Sequence, residues 1–291
     1  MTTKHETYYV PAQSIWPIVG AIGLFLIAFG AGSYIQQLST EQSSGGYILI
    51  AGIGVIIFML FGWFKNVIDE SMAGLYSAQM DRSFRQGMSW FIFSEVMFFG
   101  AFFGALFYAR MISVPWLGGA SNNAMTHEVL WPTFEAMWPL IKTPDGTTTE
   151  AMPWTGLPLI NTIILVTSSV TLHFAHTSLE KMKRTPLIVW LAITIILGSV
   201  FLYLQVLEYT HAYHDMGLTL ESGIYGNTFF LLTGFHGMHV TLGTLFLLIL
   251  FLRVLKGHFT PDKQFAFEAG SWYWHFVDVV WLGLFIFVYV L

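Results

Sequence analysis

Apolar residues crowd into seven stretches, near 15–36, 47–66, 86–110, 157–179, 186–209, 226–254 and 270–291. Each is about the 20 residues that a helix needs to cross a bilayer. Turn-forming residues mark the joints. Ser43, Ser44, Gly45 and Gly46 separate the first two stretches, Thr185-Pro186 opens the fifth, and Ser113 to Gly156, rich in Pro, Gly, Thr and Asn, reads as one long loop. The pattern predicts an all-α polytopic membrane protein of seven transmembrane helices. The last stretch runs to Leu291, so no C-terminal domain is expected, and no repeat of 20 to 50 residues is evident. A polar segment, KNVIDESMAGLYSAQMDRSFRQ at 65–86, divides the chain. The expected organisation is an N-terminal tail and two-helix bundle (1–66), a cytoplasmic linker (67–85) and a five-helix bundle (86–291) with an outer loop at 113–156.

Composition strengthens this reading. Of 291 residues, 55% are hydrophobic, 17% aromatic and only 10% charged, which excludes an ordinary soluble domain. Cysteine is absent, so there is no disulfide framework, thiolate metal site or cysteine nucleophile. The polar start MTTKHETYYVPAQ lacks the basic and apolar regions of a signal peptide, and none is expected. Charge then sets orientation. With the N-terminus inside, one side collects ten cations (Lys4, Lys65, Arg82, Arg85, Lys181, Lys183, Arg184, Arg253, Lys256 and Lys263) and the other only Arg110 and Lys142. The N-terminus is therefore expected in the cytoplasm and the C-terminus outside. No basic stripe offers itself to nucleic acid.

Polar residues inside apolar spans are the candidates for chemistry, because a charge there costs roughly 2.5 kcal/mol or more. Glu95 stands in FIFSEVMFFGAFFGALFY with Phe91, Ile92, Phe98 and Phe99 on its own face, surroundings that favour the neutral acid. Gly100 and Gly104 suggest that another side of this helix packs tightly. His236 and His239 lie one turn apart, as metal or haem ligands do, but also as histidines packed between helices do. Thr233, Gly237 and Thr241 form a small-residue face that favours close packing. Helix rise puts His236 and His239 roughly 14 to 18 Å from the outer end of their span, and His173 and His176 roughly 24 to 29 Å from the outer end of theirs. The two pairs are not expected to share a metal. His275 and Asp278, three apart, are placed to pair, as a proton relay or a structural contact, with Trp272, Trp274 and Trp281 packing or interfacial. Glu208 reads as an end-of-helix acid.

Together these segments resemble the cytochrome c oxidase subunit III family of haem-copper oxidases. The resemblance covers nearly the whole chain and is carried by FSEVMFF (93–99), HFAHTSLE (173–180), LQVLEYTHA (204–212), GIYGNTFFLLTGFHGMHVTLGT (223–244) and FEAGSWYWHFVDVVWLGL (267–284). It implies a two-helix and a five-helix bundle around a lipid-filled, V-shaped cleft, with no haem or copper in this chain and both in partner subunits. By the same resemblance Glu95 matches the family's buried carbodiimide-reactive glutamate. Arg253 in LFLRVLKGHF matches the arginine holding a phospholipid headgroup, with Trp63 and Glu70 on the other wall. Lys65 and Asp69 stand where members often carry arginine, which softens one headgroup contact and leaves another in doubt.

The implied role is a supporting one, in a complex that oxidises cytochrome c, reduces dioxygen and pumps protons. Partners would be oxidase subunits I and II and membrane phospholipids, with a respiratory supercomplex open as a further association. The long loop leans toward a bacterial inner membrane over the mitochondrial one. A quinol oxidase subunit is the alternative within the superfamily, although such forms commonly have fewer helices. A stand-alone seven-helix receptor or pump is less well matched, since no lysine lies in the last span for retinal. A transporter would usually show inverted repeats or broken helices.

Overall fold

The computed structural model describes residues 9–38, 44–260 and 263–291. Lys4 of the charge count, most of the polar N-terminal start and Ser43 of the first joint lie outside them. Among the described residues, seven helices are long and apolar enough to cross a membrane: Trp16–Gln37, Ser44–Met72, Ala78–Leu117, Leu157–Glu180, Arg184–His214, Ile224–Leu255 and Phe265–Val290. The protein is an all-α integral membrane protein. We number the α-helices α1 (Trp16–Gln37), α2 (Ser44–Met72), α3 (Ala78–Tyr108), α4 (Val114–Leu117), α5 (Ala124–Leu130), α6 (Leu157–Glu180), α7 (Arg184–His214), α8 (Ile224–Leu255) and α9 (Phe265–Leu284). A π-helical turn, Ala109–Ser113, joins α3 to α4, and another, Phe285–Val290, extends α9.

Most helices run past the apolar stretches that announce them. Of the expected linker 67–85, only 73–77 lies outside a helix, because α2 and α3 continue through polar but helix-compatible residues. Apolar counting registers only what a bilayer would cover. The expected single loop 113–156 is likewise interrupted: the third helix persists to Leu117, and α5 forms at Ala124–Leu130. Glycines shape the joints that remain. Gly156 and Gly223, with φ of 95° and 88°, stand before the first residues of α6 and α8. At the other end of α8, Gly257 in the left-handed region lets its own N–H reach Val254 and that of His258 reach Arg253, a Schellman closure. Arg184 adds a bond of 2.6 Å to the Leu255 carbonyl, a cation at a helix C-terminus.

The chain divides into two compact units, Met1–Phe84 and Arg85–Leu291. In the first, α1 meets α2 through glycine: a Cβ on Gly30 would stand 2.4 Å from the Leu49 nitrogen, and one on Gly45 2.3 Å from that of Tyr34. In the second, the core is aromatic. Trp274 and Trp281 on α9 are fully buried. The indole of Trp274 lies over Gly198 of α7 and Gly243 of α8, and its N–H donates to Ser168 of α6 at 2.9 Å.

Two expected small-residue faces are not the packed ones. Gly100 and Gly104 are exposed, with nothing near enough to touch a Cβ, and the buried side of α3 is the one carrying Phe99 and Leu106. On α8, Thr233 is buried but Gly237 is open and Thr241 exposed, and Gly243 is the close contact instead. A four-residue spacing defines a face. It does not decide which neighbour covers it.

Candidate functional site

Glu95 meets His239. From the middle of α3 its Oε2 lies 2.9 Å from Nε2 of His239 on α8, and the other ring nitrogen, Nδ1, lies 2.6 Å from the Phe235 carbonyl oxygen. A carbonyl only accepts, so Nδ1 bears a hydrogen. A neutral imidazole then offers a lone pair at Nε2, and Glu95 donates its O–H to it; an imidazolium would donate to a carboxylate instead. In both states one proton lies between the two side chains and the pair is net neutral. That removes most of the penalty for an acid at this depth.

The surroundings hold the pair in place. The rings of Phe98 and Phe99 flank the imidazole with centroids at 5.8 and 5.0 Å, and the Tyr273 hydroxyl donates to the His239 carbonyl at 3.3 Å. The Glu95 side chain remains 20% exposed against 8% for His239, so the carboxyl, rather than the imidazole, is the open member. About ten residues earlier, Arg85 forms a two-pronged pair with Glu268 in the first turn of α9, and its guanidinium covers the Phe265 ring at 5.3 Å. Sequence reasoning did not identify this pair. Its signal was one cation and one acid at the same end of two spans.

The remaining candidates stand apart from Glu95. His236 is fully buried, donates from Nε2 to the Val277 carbonyl at 3.1 Å, and sits between Phe201 and Trp281. His173 is exposed on α6, and His176 is half-buried beside the Phe267 ring. Among the described residues no group of three or more His, Cys, Asp or Glu side chains has a geometry that could hold a metal ion. His275 and Asp278 do approach, but at 3.9 Å, while Ser169 of α6 stands 2.5 Å from the same His275 nitrogen. Ser169, across the interface, takes the place expected for the partner along the helix, and the buried Asp278 carboxyl lies beside the same Ser169. Glu208 corrects another expectation. It is fully buried and takes a 2.6 Å bond from Tyr289, in the π-helical extension of α9.

Near the linker, Glu70 is half-buried and accepts from the Tyr76 hydroxyl at 2.8 Å, which with burial raises the Tyr76 pKa. Lys65 and Trp63 are exposed. Arg253 is partly buried at the end of α8, its guanidinium 4.8 Å from the centre of the Phe259 ring. Just beyond, burial and the charges of Arg253 and Lys256 lower the His258 pKa.

Seven apolar spans, with a hydrogen-bonded carboxyl–imidazole pair between α3 and α8, define a helical integral membrane protein. Comparison with known proteins gives the family. The sequence profile described as cytochrome c oxidase subunit III matches residues 5–291. Proteins named cytochrome c oxidase subunit 3 from Papio hamadryas, Hippopotamus amphibius and Gadus morhua are 38%, 37% and 37% identical over 290 residues, covering 99% of this chain and 98% of theirs. The chain belongs to the cytochrome c oxidase subunit III family.

Proposed function

We propose that this chain is the metal-free third subunit of a proton-pumping terminal oxidase, taking electrons from cytochrome c. It would assemble with subunits I and II in a bacterial inner membrane, N-terminus in the cytoplasm, and would retain phospholipids. Cytochrome c is favoured as donor over quinol because the relatives matched over their full length carry its name. The observation that carries a role in proton handling is the Glu95–His239 pair, with its single shared proton and partly open carboxyl. Inside a span, such a pair supports proton uptake by holding a proton at no net charge. On this reading its role is support, with oxygen reduction carried out in the partner subunits.

The test is oxygen consumption by the assembled complex followed over many turnovers. Glu95→Gln should leave early turnover nearly normal and reduce sustained turnover or proton uptake modestly. A carbodiimide, which attacks protonated carboxyls in apolar surroundings, should modify Glu95 first. Complete loss of oxygen reduction in a correctly assembled variant would make Glu95 an obligatory carrier and overturn this reading.

Lipid retention rests on different residues. Arg253 and Lys256 at the end of α8 offer an anionic headgroup about 1 kcal/mol each. Trp63 and Lys65 are exposed on α2 and available to a second contact. Arg253→Ala should lower the phospholipid that mass spectrometry finds with the intact complex. Unchanged lipid content would remove Arg253 from the proposal.

A further inference from the structure

A second buried polar group lies at the opposite end of the five-helix unit from Arg85 and Glu268. Asn161 on α6 and Glu208 on α7 are fully buried, and Gln205 stands nearly so, one turn before Glu208 on the same face. The hydroxyls of Thr171 and Thr194 meet at 2.8 Å between the antiparallel α6 and α7. Counting from that contact, Asn161 lies about 15 Å along α6 and Gln205 about 16 to 17 Å along α7 in the same direction, so the two amides stand level. Tyr289 donates to Glu208 Oε1 at 2.6 Å, and the Gln205 amide interacts with both. Trp281, its ring 6.0 Å from that of Tyr289, donates to Thr162, the residue after Asn161, at 3.0 Å.

Protein partners satisfy little of this polarity. Both side-chain polar atoms of Asn161 are buried with no hydrogen bond, while the Gln205 amide and Oε2 of Glu208, also buried, have no partner in good geometry beyond the approach of Gln205 to Glu208 and Tyr289. An unmet buried donor or acceptor is costly, and folded proteins rarely leave several together. Buried polar atoms left over by the protein are the usual ligands of internal water, at about three hydrogen bonds per molecule. Amide donors, amide acceptors and a carboxyl offer water both senses of bond.

Among the described residues no Lys or Arg acts on Glu208: Arg184 and Arg253, the only ones in α6 to α9, stand at the far end, the loop's Lys142 is exposed, and Arg110 lies beside Phe287 and Leu291 without bearing on the carboxyl. The titratable groups acting on the carboxyl are Tyr209 and His211 of α7, Tyr225 of α8 and Tyr289. His211 is itself engaged by Asp215 at 2.6 Å. We propose that Asn161, Gln205 and Glu208 enclose an internal water cluster in which Glu208, steadied by Tyr289, holds an exchangeable proton. The site is separate from Glu95 and does not depend on the role assigned to that residue.

Infrared spectroscopy of the assembled complex tests this. Subtracting the Glu208→Gln spectrum from that of the native protein should leave a protonated-carboxyl band, and that band should shift down in D2O. Tyr289→Phe, which keeps the ring and the packing, should move the same band up and so identify it even if Glu208→Gln fails to assemble. Asn161→Leu should lower the thermal midpoint, because it removes ligands of the water. No protonated band in the difference spectrum, a band that does not respond to D2O, or a midpoint raised by Asn161→Leu would each overturn the proposal. The last result is what two dry, unsatisfied amide atoms would give.

Discussion

In the two-helix unit, Gly20, Gly23 and Gly30 are the buried residues of α1, and Gly45 and Gly52 those of α2. Nearly every large side chain there points outward, among them Phe25, Phe29, Phe58 and Phe61. In the five-helix unit the helices stand around two fully buried tryptophans, and hydroxyls, imidazoles and carboxyls fill the gaps between them. In lipid, apolar side chains gain little by leaving their surroundings, so helices associate through close packing or through hydrogen bonds. The first unit relies chiefly on the former, with hydrogen bonds from Ser44 and Gly45 of α2 to Gln37 of α1 at one end of the contact. The second uses both, and only there can a proton be held at depth.

The comparison breaks most severely at Trp274, which touches α7 and α8 and bonds to α6. Trp274→Ala should cost about 3–5 kcal/mol, read as a collapse of the thermal midpoint of the assembled complex. A small shift would mean that the tryptophan fills space without joining the helices.

Gly30 and Gly100 offer a sharper contrast. Gly30→Leu drives a side chain into the Leu49 backbone, with a cost of about 1–3 kcal/mol or more. Gly100→Leu enters open space and should change stability by no more than about 0.5 kcal/mol. Protease resistance of the two variants in membranes would rank them. Equal effects would dissolve the distinction between the packed and the open glycine.

The smallest expected effect separates two replacements of one residue. Glu95→Gln keeps a donor for His239 Nε2 and should be nearly neutral in stability. Glu95→Leu leaves that buried nitrogen unpaired, at about 1–3 kcal/mol. If thermal melts show Leu as stable as Gln, the hydrogen bond contributes nothing and the carboxyl is held by packing alone.

Much of this molecule is determined by sequence alone. A run of about 20 apolar residues with no water to satisfy its backbone must be helical, so the seven spans follow from hydropathy. The long motifs gave the family before any fold was known. Glu95 was conspicuous because a single acid in a phenylalanine-rich helix is costly wherever it faces. Its partner was not legible: His239 is 144 residues away, and helical periodicity relates only residues a few turns apart. The same limit explains the rest. Ser169 taking the place of Asp278 beside His275, Tyr289 reaching Glu208, and Gly243 instead of Gly237 receiving a neighbour are contacts between helices, set by rotation and depth. Sequence decided which residues would need a partner in the membrane. Tertiary packing decided which partner each one found, because only the assembled bundle brings polar groups on different helices to the same level and face.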